Sequence, residues 1–199
     1  LTDSMSRQAK RGDPDAALAN ADRLLPPDAF RNVGRSIARA YFEAGKTPQA
    51  LAALERIPQK ENRAAIALGL AWSYYREGRK DAARFFRDVA APLTGKSGFT
   101  AQRLVLANIM LDERASDEGW LHAQIDRLEG EAGHSLDPAY ATSMRYYLAD
   151  AWEEAGRPDR ALKIYTAVMD EALAPPGANS SAAMLLGINF SIGLSALEK

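Results

Sequence analysis

A chain of 199 residues with a formal net charge of -1 and no cysteine excludes several chemistries before any motif is read. Disulfides, thiolate catalysis and cysteine-held metals are ruled out, and the near-neutral balance argues against a nucleic-acid binder. No run approaches the roughly 18 apolar residues that a spanning helix needs, so no membrane insertion by this segment is expected.

The apolar spacing predicts helices throughout, grouped in pairs. The first pair is expected at about 4–25. Pro14 can start its second helix because the missing N–H is not needed there. Ala16, Ala17, Ala21, Leu24 and Leu25 line that helix, and Pro26-Pro27 stops it. The second pair spans 28–57. Val33, Ile37, Ala38, Tyr41 and Phe42 lie on its first helix, and Gly45 ends it. Thr47 reads as the next N-cap, with Pro48 after it. The third pair, 61–91, repeats the plan with Ala64, Ala67, Leu68, Ala71, Tyr74 and Tyr75, then Gly78, then Ala82, Ala83, Phe86 and Val89.

Irregularity is expected from Pro92 to Gly98. An irregular pair at 99–130 follows, with Leu104 and Val105 on its first helix, Trp120 and Leu121 buried by its second, and Ser116 as a cap. A second linker at 130–137 precedes a regular pair at 138–173. That pair carries Tyr140, Met144, Tyr147 and Trp152, then Gly156, then Ala161, Leu162, Val168 and Met169. A terminal helix is expected at 181–197, apolar on both sides. The two linkers are the expected weak points of the whole.

One motif recurs in these pairs: an aromatic, three residues, glycine, four residues, alanine. It reads Tyr41, Gly45, Ala50; then Tyr74, Gly78, Ala83; then Trp152, Gly156, Ala161. The first two copies are 33 residues apart, and Gly12 and Ala17 begin a weaker copy upstream. A unit of that length holds two short helices that cannot bury their apolar faces alone, so copies must stack.

This pattern resembles the tetratricopeptide repeat family, with Ala38, Ala71 and Ala149 as further matches. The resemblance covers 28–91 and 138–173 and is weaker elsewhere. It implies an all-α fold, an α-α superhelix: a right-handed solenoid of antiparallel helix pairs, one array over 1–199. It also implies that the first helices line a concave groove. Carried over position by position, the groove residues are Asn32, Arg35, Arg39 and Phe42, then Leu68, Trp72, Tyr75 and Arg76, then Tyr146 and Asp150. Helical spacing agrees, since Arg35, Arg39 and Phe42 share a face, as do Trp72, Tyr75 and Arg76. Each has a plainer alternative. Trp72 and Tyr75 would pack between neighbouring pairs, and Arg35 and Arg39 would pair with nearby acids. Trp120 and Trp152 are expected in the core.

The function expected of such a fold is a scaffold that holds another protein or peptide while a larger complex assembles, in a bacterial envelope or a secretion or export system. An acidic partner is favoured by the groove and by an uneven charge distribution. Residues 1–100 carry 17 basic and 11 acidic side chains, against 8 and 15 in the remainder. The alternative is a structural module that self-associates, as a homodimer through 181–197. No enzyme is expected. His122 and His134 are in no metal-ligand spacing, Gly95-Lys96-Ser97 lacks the rest of a phosphate loop, and no catalytic, metal or cofactor site is assigned. The start at Leu1 suggests an excised or processed segment. A bacterial periplasm is slightly favoured over cytoplasm.

Overall fold

The computed structural model describes residues 1–135 and 138–173, with the side chains of 1–131 and 140–170. The expected helix at 181–197 lies outside the described residues, as does part of the 130–137 linker. The described residues are all-α, with no strand among them. The chain divides into two compact units, 1–96 and 97–199. The boundary falls in the first expected linker.

Unit 1 holds three helical hairpins. They are α1 (Thr2–Lys10) with α2 (Pro14–Leu24), α3 (Arg31–Glu43) with α4 (Thr47–Glu55), and α5 (Lys60–Arg76) with α6 (Lys80–Ala90). A 3₁₀ turn, Pro27–Phe30, leads into α3. The first helices lie side by side, α1 against α3 and α3 against α5. The second helices fill in behind, α2 on α3 and α4 on α5. Each hairpin therefore buries its apolar face on the next one, as short repeats must.

The spacing between aromatic and glycine has a backbone cause. Gly78 takes φ +73°, and the next N–H, that of Arg79, reaches back 2.9 Å to the carbonyl of Tyr74. Lys46 does the same to Tyr41 and Arg157 to Trp152. This is the six-residue closing bond of a glycine-terminated helix, and it satisfies a carbonyl the helix leaves open. The chain then enters the second helix at once. That is why Lys46, not Thr47, occupies the cap of α4, and Thr47 is its first helical residue. Nothing lies within 4 Å of a Cβ built on Gly78, so its cost to an alanine would be conformational alone. Gly78→Ala should destabilise by about 1 kcal/mol. Gly130→Ala, inside a helix with equally open space, should stabilise by up to about 1 kcal/mol. Urea midpoints of the two variants, shifted in opposite directions, would check this.

Small residues set the closeness of the stack. A Cβ on Gly34 would meet the Phe30 ring at 3.1 Å and Ile57 Cδ1 at 3.2 Å. Ala38, Ala50, Ala71 and Ala83 are at most 1% exposed. Val33, Ile37, Ile57, Leu70, Tyr74 and Phe86 complete the core, each worth about 1.5–3 kcal/mol on burial for the aliphatic and phenyl side chains.

Unit 2 contains α7 (Phe99–Leu111), α8 (Glu118–Ser135), α9 (Pro138–Glu154) and α10 (Pro158–Leu173). α7 pairs with α8 and α9 with α10, and both α7 and α8 rest on α9. α8 runs on to Ser135, through most of the segment expected to be a linker. Its start is capped by Asp117, whose carboxylate accepts from the Trp120 N–H at 3.1 Å, rather than by Ser116. The irregular pair lacks the aromatic-glycine signature, and a different packing replaces it. Arg103, only 8% exposed, places its guanidinium 4.4 Å from the Tyr147 ring and 5.5 Å from that of Phe99.

Trp152 is fully buried as expected, whereas Trp120 is half-buried under the Arg114 guanidinium. Leu24, expected to line α2, is exposed, and so are Val105, Tyr140, Leu162 and Met169. Phe42, Val89 and Leu104 are half-buried.

Candidate functional site

Arg35, Arg39 and Phe42 share a face of α3 because they recur at four and three residues, and that face is turned toward the third hairpin. Arg35 Nη2 donates to Ser73 Oγ at 2.6 Å and to the Gly69 carbonyl at 3.2 Å, both on α5. Arg39 Nη2 donates to both carboxylate oxygens of Glu77, at 2.8 and 2.9 Å. A return pair runs the other way, from Arg79 Nη1 to Glu43 at 2.6 and 2.7 Å. Between the two pairs lies the Tyr74 ring, with the Arg39 guanidinium 5.0 Å and that of Arg79 4.7 Å from its centre. Phe42 stacks on Phe85 at 5.1 Å and touches the edge of Phe86 at 4.8 Å.

These three residues thus clamp one hairpin to the next. Leu68 is 2% exposed and belongs to the core. Asn32 and Arg76 are exposed, and Arg35 keeps an exposed flank beside them. Trp72 and Tyr75 are half-buried and stacked, ring centres 5.7 Å apart at 20°. The remaining two residues sit in unit 2. Tyr146 packs near Tyr165 at 6.1 Å, and the Tyr165 hydroxyl donates to Asp150 at 2.6 Å. Seven of the eight residues of unit 1 thus lie on or against the outer parts of α3 and α5, and the eighth, Leu68, lies in the core.

The clamp alters titration. Burial works against the charge of Glu43, but the Arg79 hydrogen bonds, the Tyr74 hydroxyl and the Arg79 and Arg39 charges outweigh it and hold its pKa below the ordinary 4.5. The Tyr74 hydroxyl is buried facing that carboxylate without a hydrogen bond of good geometry, and burial first, then the carboxylate, push its pKa up. A depressed carboxylate pKa stabilises the fold above the unfolded value and loses that contribution as pH falls through the folded one. Glu43→Gln should therefore flatten the loss of stability below about pH 4.5 while changing the neutral-pH slope little. Urea midpoints taken at intervals from neutral to acid would check it, and an unchanged acid limb would contradict it. At the preceding boundary Tyr41 donates to Asp15 at 2.7 Å and Lys46 reaches the other Asp15 oxygen at 3.0 Å. Burial, then Asp15, push Tyr41 up to about 12.

Sequence reasoning missed a recess of about 440 Å³ among α8, α9 and α10. Its apolar floor includes Leu148 and Ile164, and Arg145, Arg160 and Lys163 rim it beside Glu129. Arg160 pairs with Asp126 and lies 3.6 Å from Glu129. The signal was present only as isolated charges on three helices. His122 Nε2 sits 3.0 Å from the Ala155 carbonyl, and its ring lies 5.4 Å from that of Trp152. No group of three potential metal ligands occurs among the described residues.

The tetratricopeptide repeat model matches residues 36–61 and 143–172. The first stretch covers the end of α3 and all of α4, and the second most of α9 and α10. No curated protein and no solved structure matches the chain.

Proposed function

Because the chain carries tetratricopeptide repeats, a fold whose general use is to hold other proteins, we propose that it captures an acidic peptide segment of a partner during assembly of a larger complex. The observation that supports this is the surface of α3 and α5 in unit 1. Asn32 and Arg35 are exposed on α3, Arg35 reaches across to Gly69 and Ser73 of α5, and α5 carries the stacked Trp72 and Tyr75 and the exposed Arg76. Aromatic faces supply rigid apolar area, and guanidinium groups supply forked bonds to carboxylates. The net excess of basic side chains in residues 1–96, 17 against 11, would draw such a partner in. Arg39 and Phe42 serve this surface by fixing α3 against α5.

Capture of acidic peptides by the full chain tests the reading. Trp72→Ala and Arg76→Glu should each weaken capture about tenfold or more with helical content unchanged. Equal capture by both folded variants would remove the surface from consideration. Arg39→Glu is the wrong probe, because it breaks the hairpin clamp.

A second reading is self-association, favoured by the exposed Leu162 and Met169 of α10. A mass that stays monomeric across micromolar concentrations would exclude it. For the setting we propose a bacterial envelope or export assembly, periplasmic rather than cytoplasmic. Its support is compositional: 18 Arg against 7 Lys in an alanine-rich chain, as a GC-rich bacterial genome encodes.

A further inference from the structure

The recess among α8, α9 and α10 has an internal standard, because the other hairpins carry different residues at the same positions. Counted from the hairpin glycine, Ala141, Arg145 and Ala167 stand to Gly156 as Phe30, Gly34 and Arg56 stand to Gly45. In the second hairpin these three positions close on a ring. Phe30 is 4% exposed, its ring lies 3.1 Å from where a Cβ on Gly34 would be, and the Arg56 guanidinium covers it at 5.2 Å. In the α9–α10 hairpin the same three positions line an opening of about 440 Å³. An alanine stands where the ring would be.

The third hairpin carries rings on its second helix instead. Lys163 and Ile164 stand to Gly156 as Phe85 and Phe86 stand to Gly78. Those two rings meet at 5.1 Å, and Phe86 is wholly buried. Ile164 is only half-buried, on a floor that it shares with Leu148. Cations take the place of the rings. Arg145 has Gly34 and Ala67 as its equivalents, Lys163 has Ala52 and Phe85, and Arg160 has Gln49 and Ala82. Three positions uncharged in the second and third hairpins are thus basic here, around a space that apolar packing would have closed.

The charges around the recess are unequally engaged. Glu129 is the only carboxylate among the described residues that line it, and it already accepts from Trp152 Nε1 at 3.1 Å, with Arg160 3.6 Å away. Arg160 also pairs with Asp126. Lys163 is exposed and makes no hydrogen bond or ion pair with the described residues. The volume falls within the range of small-molecule sites, roughly 300–1,000 Å³. Such a lining favours a ligand with an apolar part and an anionic head. Because Arg160 is held by two acids, the remaining basic excess suits a single negative charge.

We propose that this recess binds a small carboxylic acid with an apolar ring, the ring taking the place that Phe30 holds in the second hairpin and the carboxylate meeting Lys163 on the rim. The proposal is independent of what the surface of unit 1 binds.

The test is an amide NMR titration of the full chain with 3-phenylpropionate. Amides of α9 and α10 should shift saturably, with half-saturation below about 1 mM, while those of α3 and α5 stay in place. The neutral amide, 3-phenylpropanamide, and acetate should each bind about tenfold more weakly, since one lacks the charge and the other the ring. Lys163→Gln, an exposed change that keeps the space, should weaken binding about tenfold. Ala141→Phe, which restores the ring and keeps the charges, should abolish it with helical content unchanged. No saturable shift in α9 and α10, equal binding of acid and amide, or full binding by the Lys163→Gln chain would each overturn the proposal. Tighter binding of a hexapeptide ending in phenylalanine would overturn it in favour of a partner's C-terminus.

Discussion

Tyr74→Ala should lower the unfolding free energy by about 3–5 kcal/mol, measured by urea denaturation followed through helical circular dichroism. Tyr74 has no exposed surface and is among the largest buried side chains. Its ring stacks on Phe86 at 5.5 Å and leans on Phe42 at the same distance. Two guanidinium groups lie against it as well, so alanine would leave a cavity where a third-hairpin core meets the second-hairpin clamp. Tyr74→Phe separates ring from hydroxyl. The hydroxyl is buried without a well-formed hydrogen bond, so its removal should cost no more than about 1 kcal/mol. A loss below about 1 kcal/mol for the alanine variant would mean that the ring does not hold the boundary.

Trp152→Ala should have an effect of similar size, about 3–5 kcal/mol, felt in unit 2. The indole is fully buried, donates from Nε1 to Glu129 at 3.1 Å, and carries the Arg160 guanidinium 4.4 Å above it. It therefore joins α8, α9 and α10 at one point. Its loss leaves a void and takes one partner from Glu129, which keeps only the more distant Arg160 among these contacts. Amide exchange in α9 and α10 should accelerate, while α3 to α6 keep their protection. Equal acceleration in both units would contradict the assignment of this residue to the core of unit 2.

The aromatic, the glycine and the alanine of each hairpin were legible in the sequence because each answers a local demand. Gly45, Gly78 and Gly156 supply the left-handed turn, and Ala50, Ala83 and Ala161 allow close approach. The fate of Arg35 and Arg39 was not legible. Helical spacing shows that they share a face, but only the stacking of hairpins decides that α5 lies opposite. The acid that meets Arg39 is Glu77, 38 residues away, beyond the reach of any local pattern. The alternative that paired these arginines with nearby acids anticipated the outcome in kind for Arg39, whereas Arg35 reaches a hydroxyl and a backbone carbonyl instead. Gly130 suggested a linker where α8 continues, because an isolated glycine in open space is tolerated in a helix at modest cost. The exposure of Leu162 and Met169 was not legible either, because periodicity marks an apolar face without telling what covers it.

The side chains at the hairpin boundaries of unit 1 differ from one another although the hairpins are alike. Between the first and second, Asp15 receives Tyr41 and Lys46, and Asp22 receives Arg56. Between the second and third, Arg39 meets Glu77 and Arg79 meets Glu43. Each hairpin is thus labelled on its two edges by different charges, as a key is cut differently from its neighbours. Reordering the hairpins by recombination would preserve every helix, turn and internal core and still set Arg39 opposite a neighbour with no acid to meet it. Copies born of duplication lose their interchangeability in this way, and their order along the chain becomes part of what the sequence encodes.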